Sequence, residues 1–439
     1  MNDWSSRQLK IVSNLVYTPR VLSHFIHSQN LNNVIIPDIA VPLISRNDKT
    51  TCCILEKIQD PLSSSPLCSE INIKPLGTPG KVGVPYLLNY DDKILVVKVA
   101  KVSKLFARYR KAPPSSLEEV TVAGTKTCIS QFPLNRIVFI ASDEFTNETL
   151  IAYTLNYMAS KIDIPPLYVK HYEGAVCDKG RDAYGLNIME YCDLGTLNTM
   201  ATNTTYTAPY KINYNDTIIY EKLVTEDVLY QILSQIVVAL DILHKTLEFT
   251  SGDLKADNIF VKSDPIDYVY KGIKLQAPFT CKIADYGKSS CMVKRTNGSA
   301  LRFYNQSTLA DIYLKLHPFE PDIENITGEY YYTIGDLTNT QLYTRTRHMG
   351  IPYYHSFDYY TVLVSLLTNP GYYYTFFSSE RLLKTFWYPV WLNTDESVQN
   401  AIYKYVLKNK GRSINDALDI LHGTVMKCNA VENVIAAMQ

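Results

Sequence analysis

Apolar positions in this chain fall into two regimes, strand-like runs early and helical periodicity later. Between residues 225 and 245, Val228, Leu229, Ile232, Leu233, Ile236, Val237, Leu240 and Leu243 recur at three- and four-residue steps, which predicts an amphipathic helix. Thr225 is placed to cap it, and Glu226 and Asp227 suit the positive end of its dipole. Shorter helical patterns cover residues 149–160, 359–367, 397–408 and 414–421. Strand-like runs cover residues 85–90 and 94–99, joined by an Asp91-Asp92 turn, and later residues 167–172 and 186–191. Strands early and helices late predict an α+β protein of two unequal lobes.

Punctuation sets the expected boundaries. Residues 1–70 mix short apolar runs at 34–36 and 39–43 with Pro and Ser and end in a loop at 63–66, which reads as an N-terminal extension packed on the strand-rich region beyond residue 70. Pro113-Pro114 and Ser115-Ser116 mark residues 106–136 as an insertion or ordered loop. At 439 residues the chain is longer than one average domain.

Composition narrows the function classes. The 46% hydrophobic and 20% charged fractions are those of a globular chain with a sizeable core. Lys+Arg and Asp+Glu balance at 43 each, which removes the electrostatic argument for a nucleic-acid or membrane-surface protein. A local basic group at Lys104, Arg108, Arg110 and Lys111 reads as a solvated face. The 34 tyrosines, clustered at 330–332 and 372–374, read as packed rings and not as a base-stacking platform. Nine cysteines show no C-x-x-C pair, so neither zinc nor a secreted disulfide framework is expected, and Cys52 and Cys53 read as buried thiols in a reducing compartment. No signal peptide opens the chain, and the most apolar stretch, residues 224–243, is broken by Glu226, Asp227, Gln231, Gln235 and Asp241. A soluble intracellular protein without a membrane span is the expectation.

Three segments carry chemistry. Directly after the 225–245 helix stand Asp253, Leu254, Lys255 and Asn258, the D-L-K-x-x-N form of a protein-kinase catalytic loop. Phosphoryl transfer needs a carboxylate for the attacking hydroxyl, a cation on the migrating group and oxygen ligands for Mg²⁺; Asp253, Lys255 and Asn258 offer these in order. Three specified residues would recur by accident in roughly one such chain in twenty, so the motif needs support. It comes from Asp285-Tyr286-Gly287 at the end of an apolar run, which matches D-F-G with Tyr for Phe. The third segment is a glycine loop with Gly77, Gly80 and Gly83, then Val84, with Lys98 further on inside an apolar strand. Glycines admit backbone N–H groups to phosphates, and a buried ammonium demands an anionic partner. Glu148, opening the 149–160 pattern, is the first choice, and Glu144 the second. Between these segments, Met189, Glu190 and Cys192 lie on a strand running into an open turn at Gly195, which looks like the hinge of protein kinases and by that resemblance would offer backbone groups to adenine. Asp358 opens an apolar run, 358–367, that resembles the buried helix of the large protein-kinase lobe, and that resemblance would make it the residue that holds the catalytic-loop backbone.

Taken together from residue 77 to 367, these segments resemble the eukaryotic-type protein kinases. The phrasing SFDYYTVLVSLL and the Tyr/Asn-rich composition resemble the divergent serine/threonine kinases of large DNA viruses. The resemblance implies a bilobal kinase-like fold, with a small antiparallel β-rich N-lobe over 71–192, an insertion near 105–140, and a larger helical C-lobe over 193–439 with an enlarged activation segment near 288–350. It implies ATP and Mg²⁺ as cofactors and transfer to Ser/Thr hydroxyls of proteins, the chain itself included, in the host cytoplasm for a viral protein. By position, Asp253 would be the base, Lys255 would touch the γ-phosphate, Asn258 and Asp285 would hold Mg²⁺, and Lys98 paired with Glu148 would hold the α- and β-phosphates. Gly77, Gly80, Gly83, Val84, Met189, Glu190 and Cys192 would surround the nucleotide. Three departures stand out: the glycine spacing is G-x-x-G-x-x-G, Ser251-Gly252 replaces His-Arg, and no Ala-Pro-Glu occurs after Asp285. Losing the Arg removes the cation that receives a phosphorylated activation loop. Arg345, Arg347 and His348 read first as a solvated basic loop and second as a contact for an acidic or phosphorylated substrate. A nucleotide-binding scaffold without transfer activity and a kinase of small molecules or lipids are the competing readings.

Overall fold

The computed structural model describes residues 45–60, 71–77, 83–90, 93–102, 107–111, 137–141, 144–161, 164–180, 182–214, 217–247, 249–294, 300–305, 331–333, 357–391, 396–409, 425–427 and 430–439. The early apolar runs, the 63–66 loop, Gly80, the Asp91-Asp92 turn, residues 113–116, Lys104, Arg345, Arg347, His348 and the 414–421 pattern lie outside them.

In chain order the first part contains β1 (Ser45–Arg46), α1 (Lys49–Gln59), β2 (Asn72–Pro75), β3 (Val84–Tyr90), β4 (Lys93–Val102), β5 (Ala107–Lys111), β6 (Ile137–Ala141), α2 (Glu144–Lys161), β7 (His171–Lys179) and β8 (Asp182–Glu190). Six of these strands form one sheet in the order β1-β7-β8-β4-β3-β2, antiparallel except for the β1–β7 edge. Alternation along β4 explains the layering: Leu95 and Val97 are buried on one face, and Val96 and Lys98 point to the other. The Leu95 face is covered by α1, whose Cys53, Ile54 and Leu55 pack with Leu88, Leu186 and Ile188. Asp48 caps that helix by accepting from the Thr51 N–H at 2.9 Å. Part of the expected N-terminal extension is therefore a helix sealing the outer face of the sheet.

That packing corrects one expectation. Cys52 is not a thiol; it forms a disulfide with Cys177 of β7, with Cα atoms 5.6 Å apart, because α1 lies directly across the strand. Cys53, one position on, stays a buried thiol.

The second part contains α3 (Leu197–Met200), a hairpin of β9 (Thr207–Tyr214) and β10 (Thr217–Val224), α4 (Glu226–Leu247), β11 (Ile259–Lys262), a hairpin of β12 (Ile266–Tyr270) and β13 (Ile273–Ala277), β14 (Thr280–Ile283), β15 (Cys291–Lys294), β16 (Ala300–Asn305) and β17 (Tyr331–Thr333). It closes with α5 (Phe357–Leu367), α6 (Pro370–Ser378), α7 (Glu380–Leu382), α8 (Glu396–Asn409), β18 (Val425–Lys427) and α9 (Ala430–Met438). The fold is thus mixed α and β, an antiparallel sheet succeeded by a region in which helices alternate with short strand pairs. The expected apolar face of α4 is buried from Leu229 on, with Val228 half-buried, and so are Ser234, Gln235, Val238 and Ala239, so the helix is enclosed nearly all round beyond its first turn. Among the described residues it is the one helix long and apolar enough to cross a bilayer, and 78% of that apolar window is buried inside the protein.

Two features were not expected. The strand predicted at 167–172 begins only at His171, because residues 167–169 run alongside Ile283 instead: Val169 N–H donates to Ile283 O at 2.9 Å. And residues 107–111, expected as loop, form β5 of a second sheet, β15-β16-β6-β5, in which β16 runs parallel to β6. This second sheet ties the backbone just before α2 to the backbone just after Asp285.

Candidate active site

Lys98 anchors the site. Its neighbour Val97 is fully buried, so the Lys98 side chain is directed from the sheet toward α2. Thr149 fixes that helix by donating to Asn187 Oδ1 of β8 at 2.6 Å, and Tyr153 accepts the Gly174 N–H at 2.9 Å. With α2 so placed, Lys98 Nζ lies 2.9 Å from Glu148 Oε2 and 2.9 Å from Asp285 Oδ1. Burial alone would lower the Lys98 pKa, but the Asp285 and Glu148 carboxylates reverse that and hold it well above the ordinary lysine value. Burial raises the Glu148 pKa, opposed by Lys98, whereas the Lys98 charge pulls Asp285 down. The proton therefore resides on Lys98. Glu144 sits one helical turn away, against the 285–289 backbone: a Cβ at Gly287 would stand 3.0 Å from the Glu144 Cβ. Burial raises its pKa, opposed first by Lys288.

Asp285 comes after β14 in a left-handed conformation, φ 58° and ψ 69°, which is uncommon for a non-glycine residue and which Asn47 and Lys271 share at φ 52° and 49°. Tyr286 behind it is fully buried and donates its hydroxyl to Ile283 O at 2.5 Å.

The loop leaving α4 is held from below by α5. Asp358 accepts the Ser251 N–H at 2.5 Å and the Gly252 N–H at 3.1 Å, and Ser365 accepts the Ala256 N–H at 3.1 Å. Gly252 has φ 70°, so the position that carries Arg in the resembled motif demands glycine here. Asn258 donates its Nδ2 to Asp253 O at 2.8 Å and accepts the Ala284 N–H on its own carbonyl at 3.0 Å. A continuous series of contacts thus links Lys98, Asp285, Asn258 and Asp253. Asp253 Oδ2 is bracketed by Lys255 Nζ at 3.5 Å and Lys288 Nζ at 3.4 Å.

Beside this polar group lies a small apolar cluster of Val169, Met189, Cys192 and Ala284, with Val96 of β4 and Phe260 of β11 half-buried against it. Val96 stands opposite Met189 in the β4–β8 ladder. It joins the Lys98 face of the sheet to the β11–β14 pair.

Other expected residues are placed differently. Gly83 is needed where it is, since a Cβ there would stand 2.8 Å from Val99 O. Gly77 has φ 72°, and no described residue lies within 4 Å of where its Cβ would stand. Val84 stands opposite Val99, on the α1 side of the sheet, where it lines a groove of about 550 Å³ with Leu55 and Ile58; Pro85, opposite Lys98, takes the inner position. The one-residue offset comes from the period of two in a strand. The Glu190 carboxylate is engaged by Lys282 Nζ at 2.9 Å, Lys262 Nζ at 3.5 Å and the Lys170 N–H at 2.6 Å, which leaves the expectation for its backbone groups untouched. Lys288, Asn147, Val96, Phe260 and Ala284 were not singled out from sequence. The last three could have been, since they lie two residues before Lys98, two after Asn258 and one before Asp285.

No family profile matches the chain. A protein of Acanthamoeba polyphaga mimivirus named "putative serine/threonine-protein kinase" is 25% identical over 273 residues, covering 52% of this chain and 37% of that protein. This chain resembles a divergent viral kinase-like protein. The match spans well under half of that relative's length and about half of this chain.

Proposed function

We propose that the chain is an ATP- and Mg²⁺-dependent protein kinase acting on Ser/Thr hydroxyls, built on a bilobal kinase-like fold with an N-lobe over 71–192 and a C-lobe over 193–439. The observation that carries this reading is the convergence of Lys98, Glu148 and Asp285 at 2.9 Å contacts beside the hydrogen-bonded Asp253–Asn258 loop. Structural ion pairs rarely gather a lysine from a strand, a glutamate from a helix and an aspartate in a left-handed turn next to a second, partly exposed carboxylate.

In this reading the apolar cluster around Val96, Met189, Phe260 and Ala284 takes the adenine ring, with backbone groups near Cys192 as its polar partners. Lys98, held by Glu148, binds the α- and β-phosphates as a fixed cation. The donor set suits Mg²⁺: Asn258 uses Nδ2 on Asp253 O and so keeps Oδ1, and Asp285 uses Oδ1 on Lys98 and so keeps Oδ2. Two hard oxygens with the remainder from phosphates and water is the usual provision for this ion, and no group of three or more His, Cys, Asp or Glu that could form a protein-only cage occurs among the described residues. Mg²⁺ there would neutralise phosphate charge. Asp253, partly exposed, orients the acceptor hydroxyl and takes its proton, while Lys255 meets the migrating phosphoryl group.

Incubation with γ-labelled ATP, Mg²⁺ and generic acceptor proteins tests the reading, the chain itself being one acceptor. Label transfer by the wild type, lost by about 10²- to 10⁴-fold in Asp253→Asn with ATP binding retained, is the expected result. The second reading, a nucleotide-binding scaffold, draws on the irregular glycine loop and on Gly252. Stabilisation by Mg-ATP with no transfer to any acceptor would favour it.

A further inference from the structure

Asn147 precedes Glu148 on α2 and is fully buried. Its Nδ2 lies 3.3 Å from Tyr286 O, 3.0 Å from Gly287 O and 2.6 Å from Ser289 O, so one amide group gathers three carbonyls of the turn after Asp285. The orientation is fixed by chemistry: a side-chain oxygen in that place would face three carbonyl dipoles of its own sign, and only the amide nitrogen can donate. Oδ1 finds no donor among the described residues, so the hydrogen bonds this side chain makes there are those of Nδ2 to the turn. The same stretch of backbone is held from the far side, where Thr250 and Ser290 exchange N–H to O bonds of 2.9 and 2.7 Å.

Adjacency couples two tasks on one turn of α2. Glu148 fixes Lys98, and the next residue back fixes the turn that presents Asp285.

We propose that Asn147 is a positioning residue that clasps the 286–289 backbone to α2, holding Asp285 in its left-handed conformation beside Lys98 so that its second oxygen stands ready for the metal. This rests on the kinase reading and adds to it a residue that touches neither nucleotide nor metal. It also accounts for how the turn is ordered in a chain with glycine at 252, since the clasp is supplied by a neutral amide from α2 and needs no phosphorylated partner.

The test is a Mg²⁺ titration of ATP binding by calorimetry on the full chain, for the wild type, Asn147→Leu and Asn147→Ser. Leu keeps the bulk and removes the donor; Ser keeps one donor. The expected result is a half-saturating Mg²⁺ concentration raised by about 10- to 100-fold in Asn147→Leu, less in Asn147→Ser, with Mg²⁺-free ATP affinity within about 3-fold of wild type. In transfer assays kcat falls and the acceptor KM stays. A merely structural role would lower the thermal midpoint and leave the Mg²⁺ dependence of the folded fraction unchanged, and that result overturns the proposal. Should Asn147→Leu not fold, Asn147→Ser decides by the same criterion. A wild type that binds Mg-ATP while both variants keep its Mg²⁺ dependence overturns the clasp alone. A wild type that binds no nucleotide overturns the kinase reading and the clasp with it.

Discussion

Lys98 Nζ and Asp285 Oδ1 stand 2.9 Å apart although 187 positions separate them. Their contact joins the sheet to the region beyond α4, and it puts a protected cation of the sheet face against a carboxylate on strained backbone. Asp285 sits at φ 58°, and such a conformation persists only where surrounding contacts over-determine it. Lys98 and the Asn147 clasp supply those contacts from two sides.

Replacing Lys98 by Met should therefore act on stability as well as on chemistry. It leaves the buried Glu148 carboxylate without its cation, which costs about 3–5 kcal/mol when one partner of a buried pair is removed. The double variant Lys98→Met with Glu148→Leu should recover much of that loss and none of the ATP binding. Urea unfolding and ATP titration of both variants check the two halves; a double variant no more stable than the single one would contradict the pairing argument.

The parts of this arrangement that were legible in the sequence are those where chemistry and periodicity coincide. Lys98 stood out as a charge inside an apolar strand and Glu148 as the acid before the 149–160 pattern; the helix in fact opens at Glu144, one turn earlier, and the Lys98 and Glu148 side chains meet. The resemblance, and not periodicity alone, assigned Asp358 to the backbone of the loop after α4, and its carboxylate accepts from Ser251 and Gly252 N–H. Val84 shows where reading along the chain fails: glycine spacing cannot say which face of β3 a residue one step on will take, and the ladder puts Pro85 inward. Asn147 and Lys288 were invisible because their partners are backbone carbonyls and a carboxylate far along the chain. Cys52 carried no spacing that pointed to Cys177, since the bond arises from the packing of α1 across β7.

Gly252 gives a second prediction. A side chain at φ 70° costs about 1–2 kcal/mol, so Gly252→Arg should destabilise the chain by that order even though it returns the guanidinium found in the resembled motif. Gly252→Ala should cost a similar amount, which separates backbone strain from charge. Thermal unfolding of the two variants measures it. An Arg variant as stable as wild type would show that the loop can relax into another conformation.

Acid sensitivity should trace in part to His171. Its ring is buried beside Tyr286, with centroids 6.2 Å apart, and its Nδ1 has no hydrogen-bond partner among the described residues. Burial, helped by Lys98, pushes its pKa down to about 3 from the usual 6.5. A depressed folded-state value means the contribution is fully present above about pH 6.5 and is lost progressively as pH falls toward 3, because the unfolded chain takes up the proton first. Asp358 works in the opposite sense: burial raises it to about 7, so its contribution is full below its ordinary range and is lost as pH rises through 7. Comparing His171→Leu with wild type cancels the Asp358 part. The urea midpoint of the variant should fall less than that of wild type between pH 7 and pH 4.5; parallel curves would exclude the histidine as a source of acid lability.

The Cys52–Cys177 bond supplies the last prediction, because it closes a segment of 125 positions and ties α1 to the outer face of the sheet. Constraining so long a loop in the unfolded chain stabilises the folded one by about 2–5 kcal/mol, so a reductant or Cys52→Ala should lower the unfolding midpoint accordingly. The effect should stop there. The α1 helix packs on the Leu95 and Val97 face, whereas Lys98 and the apolar cluster around Met189 lie on the other, so Mg-ATP affinity of the folded reduced protein should be unchanged. Adding reductant to Cys52→Ala should then shift nothing further. If reduction moved the nucleotide affinity as strongly as the unfolding midpoint, the sheet would be transmitting strain from one face to the other, and the separation of the α1 layer from the Lys98 site would be refuted.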